Sequence, residues 1–136
     1  MKYNHGELSE HKGIKLLAEE AEKYEGQYPI DMHYVYLTLQ KYFYTKREKG
    51  ANLKRCQNIP EKDMAIYPEF KKAYLEEHDY FVNYPAFKLM AIILEKQGKF
   101  EEAIQVCNRA IELGVECDTK SGFEGRKKKL EKKLND

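Results

Sequence analysis

Between residues 86 and 114 two apolar stripes at helical spacing follow one another, separated by a short break that contains Gly98 and Lys99. Phe87, Met90, Ala91 and Leu94 fall on one face of the first segment. Phe100, Ala103, Ile104, Cys107, Ala110 and Ile111 do so in the second. Glycine reaches the left-handed conformation that ends helices, so Gly98 and Gly114 are natural stops. A break this short returns the chain antiparallel, and the stretch predicts a helical hairpin. Leu89, Ile92 and Ile93 lie off the first stripe. A helix apolar nearly all round needs neighbours on both sides, so the hairpin calls for further helices.

The rest of the chain supplies them. Only 4 prolines and 8 glycines interrupt 136 residues, too few for many short strands. A first helix is predicted over 10–25, capped by Ser9, with Ile14, Leu17, Ala18, Ala21 and Tyr24 on its face. Gly26 ends it, and Pro29 lies beyond. Asp31 caps a second, to about residue 49, with a buried stripe of Val35, Leu39, Tyr42, Phe43 and Lys46; Gly50 stops it. A third begins near Asn52, and Pro60 inside it predicts a kink or two short helices, because proline lacks an amide donor and crowds the preceding turn. Pro68 suits the start of a fourth helix, to about residue 78. The aromatic stretch 79–84 reads equally as a packed connection or a further turn. Pro85 opens the fifth helix, 86–97, and the sixth covers 100–113. Ser121 and Glu124 fit a capping box for a seventh, 122–134, with Phe123, Lys127, Leu130 and Leu134 in a narrow stripe.

Residues 86–114, AFKLMAIILEKQGKFEEAIQVCNRAIELG, resemble a tetratricopeptide repeat. Ala91 stands at the small position of the first helix, Gly98 at the turn and Phe100 at the aromatic position after it. The Glu-Glu-Ala-Ile run at 101–104 and the Ala110, Ile111 and Leu113 ending also match. Val115 stands near the place of the usual closing proline. Residues 34–67 resemble a degenerate repeat, with Tyr42, Phe43, Gly50, Ala65 and Ile66 at matching places and a second helix interrupted by Pro60. Residues 119–126 are similar to the C-terminal end of small bacterial or phage-borne repeat proteins, a likeness that implies no function. The implied fold is all-α, a single domain over 1–136. It would be a right-handed stack of helical hairpins, an α-solenoid of about seven helices with the last as a cap.

The resemblance also implies a role as a protein-binding scaffold. In this family the first helix of each pair lines a groove for a partner peptide or helix. Carried onto this chain, the groove draws on Leu37, Lys41 and Tyr44 of the second helix and Lys88, Ile92 and Lys96 of the fifth. Lysines alternating with apolar groups suit a partner segment with carboxylates and one or two apolar anchors. The fifth helix has no Asn, so the carboxylate clamp of some chaperone-binding relatives is not expected.

Two alternatives remain. Basic clusters at 41–55 (Lys41, Lys46, Arg47, Lys49, Lys54, Arg55) and 126–133 (Arg126, Lys127, Lys128, Lys129, Lys132, Lys133) fit a nucleic-acid-associated protein, with tyrosines beside the first. A net charge of +1 and the lack of a reading motif rank this below the scaffold. The other is a homo-oligomer in which a groove takes a neighbour's terminal helix, so the protein is expected as monomer or homodimer.

Catalysis is not expected. No Gly-rich phosphate loop, GxSxG or HExxH occurs. The four histidines, His5, His11, His33 and His78, form no i,i+4 pair, and Glu76, Glu77, His78 and Asp79 read as a solvated helix end. Cys56, Cys107 and Cys117 form no CxxC pair, so neither a zinc site nor a disulfide framework is expected, and no cofactor is. The N-terminus lacks the apolar core of a signal peptide, and no stretch approaches the ~18 apolar residues of a membrane span. A cytoplasmic location follows as the expectation.

Overall fold

A computed structural model describes residues 5–24, 27–46, 52–117 and 120–136. They contain seven α-helices and no strand: α1 (His5–Lys23), α2 (Pro29–Thr45), α3 (Asn52–Ala65), α4 (Tyr67–Glu77), α5 (Ala86–Lys96), α6 (Phe100–Leu113) and α7 (Gly122–Asn135). The chain divides into two compact units, Met1–Ala73 and Tyr74–Asp136. Residues 34–67 fall in the first and residues 86–114 in the second.

In the first unit α1 packs on α2, and α2 on α3. α1 begins at His5, so Ser9 lies inside the helix and does not cap it. Pro29 starts α2, where its fixed φ is already helical. The preceding residue is Tyr28, held at a left-handed φ of 51°. Asp31 therefore sits in the first turn, where its charge answers the helix dipole, instead of at the cap. The buried stripe of α2 is Met32, His33, Tyr36, Leu39, Gln40 and Phe43. Val35, Tyr42 and Lys46, placed on the stripe from sequence, are only half-buried. α3 runs through Pro60 as one helix, with Pro60 itself buried. Only Ile66 separates α3 from α4. Gly26 and Gly50, the predicted stops, lie outside the described residues.

In the second unit α6 packs on both α5 and α7. Both predicted glycine stops use the same geometry. Gly98 has φ 75°, its N–H donates to Glu95 O (3.0 Å), and Lys99 N–H donates to Leu94 O (2.9 Å). Gly114 has φ 70°, its N–H donates to Ile111 O (3.1 Å), and Val115 N–H donates to Ala110 O (2.9 Å). These paired bonds satisfy the last carbonyls of α5 and α6. Val115 is buried beside the second, the apolar contact that accompanies such ends. Ala91, Ala103 and Ala110 are fully buried, as close helix approach requires. Phe87, Leu94 and Leu130 are sealed from solvent, each contributing about 1.5–3 kcal/mol.

α7 departs from expectation in two respects. Ser121 precedes it in a right-handed conformation and makes no side-chain capping bond, so no capping box forms. Leu134 is 45 % exposed, so the buried stripe is reduced to Phe123 and Leu130, with Lys127 half-buried. The stretch 79–84 is a packed connection: Tyr84 is buried, and the Tyr80 and Phe81 rings lie 6.1 and 5.8 Å from Tyr74.

Candidate functional site

The second unit contains a cleft of about 210 Å³ built from four pieces of chain. Asn83, Tyr84 and Pro85 come from the connection before α5; Lys88, Leu89 and Ile92 from α5; Glu116 and Cys117 from the segment after α6; Phe123 from α7. Local sequence sets each piece. Pro85 accepts the Leu89 N–H (2.9 Å) and starts α5, which aims Lys88 and Ile92 one turn apart along one face. The left-handed Gly114 turns the chain out of α6 and brings Glu116 and Cys117 to the rim. Gly122, at φ 64°, opens α7 so that Phe123 closes the floor. The cleft thus has an apolar interior, with an ammonium from Lys88 and a carboxylate from Glu116 among its lining groups.

Of the six residues placed in a groove from sequence, Lys88 and Ile92 line this cleft together, and both are half-buried. Lys96, exposed two turns along α5, does not reach it. Leu37, Lys41 and Tyr44 belong to the first unit, on one face of α2; Lys41 is exposed and the other two half-buried. The first unit has a larger cleft, of about 610 Å³, but its α2 lining is Tyr36, Leu39 and Phe43, a different face. Tyr84, Leu89, Cys117 and Phe123 were not singled out for the groove from sequence. Tyr84 and Cys117 lie outside helices, where no periodic pattern assigns them a face.

The two described thiols have different surroundings. Cys107 is buried in α6, and burial pushes its thiol up to about 11, partly offset by the nearby Arg126 guanidinium. Cys117 is half-exposed in the cleft lining. Among the described residues no group of three His, Cys, Asp or Glu gathers to hold a metal.

A polar cluster does form inside the first unit. His33 Nδ1 lies 2.8 Å from Asp63 Oδ1, and Gln40 Nε2 donates to Asp63 Oδ2 at 2.7 Å. All three side chains are sealed, at 1 % exposure or less, and the Phe70 ring lies tilted against His33 with 4.4 Å between centroids. His33 and Gln40 stand two turns apart on α2, and Asp63 reaches both from α3. A histidine–carboxylate pair suits proton transfer only where substrate can reach it. This one has no open face, and it serves to join two helices.

The basic run of α7 is partly answered within its own unit. Glu95 of α5 pairs with Arg126 (3.8 Å) and with Lys133, and Glu131 pairs with Lys127 (3.9 Å). Lys128, Lys129 and Lys132 are exposed. Of the first basic cluster, the side chains of Arg47, Lys49, Lys54 and Arg55 lie outside the described residues. No described helix is long and apolar enough to cross a membrane.

No protein-family model matches the chain, and neither a curated protein nor a solved structure does so.

Proposed function

We propose that the protein is a helical interaction scaffold of the tetratricopeptide kind, which holds a short segment of a partner protein in the cleft of its second unit. The observation that supports this most is the pairing of Lys88 with Ile92 on that cleft. A volume of about 210 Å³ suits one apolar side chain, packed against Leu89, Ile92 and Phe123. Lys88 then meets a partner carboxylate at the rim. Such an apolar anchor with a charged neighbour is the usual arrangement of a small recognition pocket, in which the buried contact carries affinity and the rim charge carries selectivity. The repeat-like hairpin α5–α6 supplies a rigid frame for it.

Affinity capture from the native cell, followed by mass spectrometry, tests the reading. The wild-type protein should retain a partner that Lys88→Glu with Ile92→Asp loses while keeping its helical circular dichroism. Equal retention by both would remove the cleft from the account. Nucleic-acid binding through α7 ranks lower, because Arg126, Lys127 and Lys133 already pair with carboxylates.

A further inference from the structure

α7 packs closely on α6, and no comparable packing joins it to α5 among the described residues. Yet the second unit's cleft takes its lining from both: Leu89 and Ile92 from α5, Phe123 from α7. Charge supplies a link between them. Glu95 of α5 pairs through one carboxylate oxygen with Arg126 Nη1 (3.8 Å) and through the other with Lys133 Nζ. Arg126 and Lys133 stand two turns apart on one face of α7, so a single carboxylate spans both. Sequence sets the position of this clasp. Glu95 follows Ile92 by three residues on α5, and Arg126 follows Phe123 by three on α7. Residues three apart are neighbours on a helix surface, so the ion pair sits one turn along from the apolar lining on both helices. Glu95 itself does not line the cleft.

Burial decides whether such a pair matters, since exposed ion pairs contribute little. The Arg126 side chain is 19 % exposed and that of Glu95 25 %, and Arg126 Nε is sealed without a hydrogen-bond partner among the described residues. A guanidinium so placed depends on its carboxylate to offset lost hydration. With Glu95 neutralised, Arg126 regains water most simply when this edge of α7 turns away from α5. That motion carries Phe123 with it, one turn away on the same helix. We propose that Glu95 is a positioning residue for the cleft: by clasping Arg126 and Lys133 it holds α7 against α5 and keeps Phe123 in the lining that Leu89 and Ile92 share. Its importance for recognition rests on the reading of this cleft as a binding site, whereas the clasp itself needs no partner.

The test compares wild type with Glu95→Gln, which keeps the shape and removes the charge, and with Glu131→Gln, which removes the carboxylate that pairs with Lys127 inside α7. Circular dichroism checks that each is folded. Without any peptide, Glu95→Gln should shift the Phe123, Leu89 and Ile92 resonances. It should also speed iodoacetamide alkylation of Cys117, which lines the cleft with Phe123, by about fivefold or more. A short Leu/Glu peptide should bind this variant about tenfold more weakly than wild type, because the cleft is no longer preorganised. The sign separates positioning from simple electrostatics, since loss of a nearby negative charge would by itself tighten an acidic peptide. Glu131→Gln should leave the resonances and the alkylation rate as in wild type, and Glu95→Arg with Arg126→Glu should restore part of the loss. Unmoved Phe123 resonances with a wild-type alkylation rate in Glu95→Gln, or equal or tighter peptide binding by it, would overturn the proposal. If wild type binds no peptide while Glu95→Gln still moves Phe123 and exposes Cys117, the clasp stands and the proposed function falls.

Discussion

Replacing Asp63 by alanine removes the carboxylate that His33 and Gln40 share inside the first unit. His33 and Gln40 are each 1 % exposed, and their bonds to Asp63 are 2.8 and 2.7 Å long. Neither side chain reaches water once the carboxylate is gone. A stranded buried polar group costs about 1–3 kcal/mol, and here two are stranded together. The cavity adds little, since only a carboxyl is lost. Asp63→Ala should therefore destabilise the protein by about 3–5 kcal/mol. With the urea slope typical of small proteins, that lowers the unfolding midpoint by about 2 M. Asp63→Asn keeps one acceptor but turns a donor toward a donor, so it should cost less, about 1–3 kcal/mol. Coupling follows from the shared geometry. His33→Ala and Asp63→Ala should be non-additive by about 1–3 kcal/mol, the double variant being better than the sum. Urea unfolding of the five proteins, wild type included, followed by circular dichroism, measures all of these. A loss below about 1 kcal/mol for Asp63→Ala, or additivity within about 0.5 kcal/mol, would refute the view that this cluster ties α2 to α3.

Three further outcomes follow from local surroundings. A Cβ on Gly125 would clash with the Ser121 side chain, while the Gly125 N–H donates to Ser121 O at 3.0 Å; Gly125→Ala should lower the melting temperature, and Ser121→Gly should restore most of it. Iodoacetamide at pH 8 should alkylate Cys117 in the folded protein and reach Cys107 only after unfolding, as peptide mapping would show. The folded Cys107 thiol titrates near 11 against 9.0 in the ordinary case, so folding favours its protonated form. That contribution is complete below about pH 9 and falls away as pH rises toward 11, and a Cys107→Ala variant should lose this alkaline component of instability.

The hairpin α5–α6 was legible residue by residue because every local signal agreed. Its apolar stripe, its small alanines and its two glycine stops all specify one arrangement, and Gly98 and Gly114 occupy the left-handed conformation that their positions imply. The first unit was less legible for a definite reason. His33, Gln40 and Asp63 are polar, and a pattern built on hydrophobicity assigns them to the surface; only their mutual pairing, across 23 and 30 residues of sequence, makes burial tolerable. Hydrophobic periodicity therefore extends the stripe of α2 to Val35, Tyr42 and Lys46, whereas the structure buries Met32, His33, Tyr36 and Gln40 beside Leu39 and Phe43; Leu37, Lys41 and Tyr44 do not line the first unit's cleft. Pro60 illustrates a second limit. One missing amide donor is outweighed when the proline ring is itself buried in the packing, so α3 continues where propensity predicts a break. Ser121 has the residue type for a cap but not the backbone conformation, which no short motif specifies. As for the cleft of the second unit, periodicity sets Lys88 and Ile92 off the buried stripe of α5, and only the tetratricopeptide resemblance implies a groove there. Tyr84, Cys117 and Phe123 come from other parts of the chain and join them only through the turns at Pro85, Gly114 and Gly122.

In the proposed function the second unit's cleft receives an apolar anchor beside a carboxylate. Titrating the isotopically labelled protein with a short Leu/Glu peptide tests it most directly. The resonances of Tyr84, Lys88, Leu89, Ile92 and Phe123 should move together along one binding curve, and Lys88→Glu with Ile92→Asp should abolish the shifts. Unmoved resonances at these five residues, or shifts that persist in the variant, would contradict it.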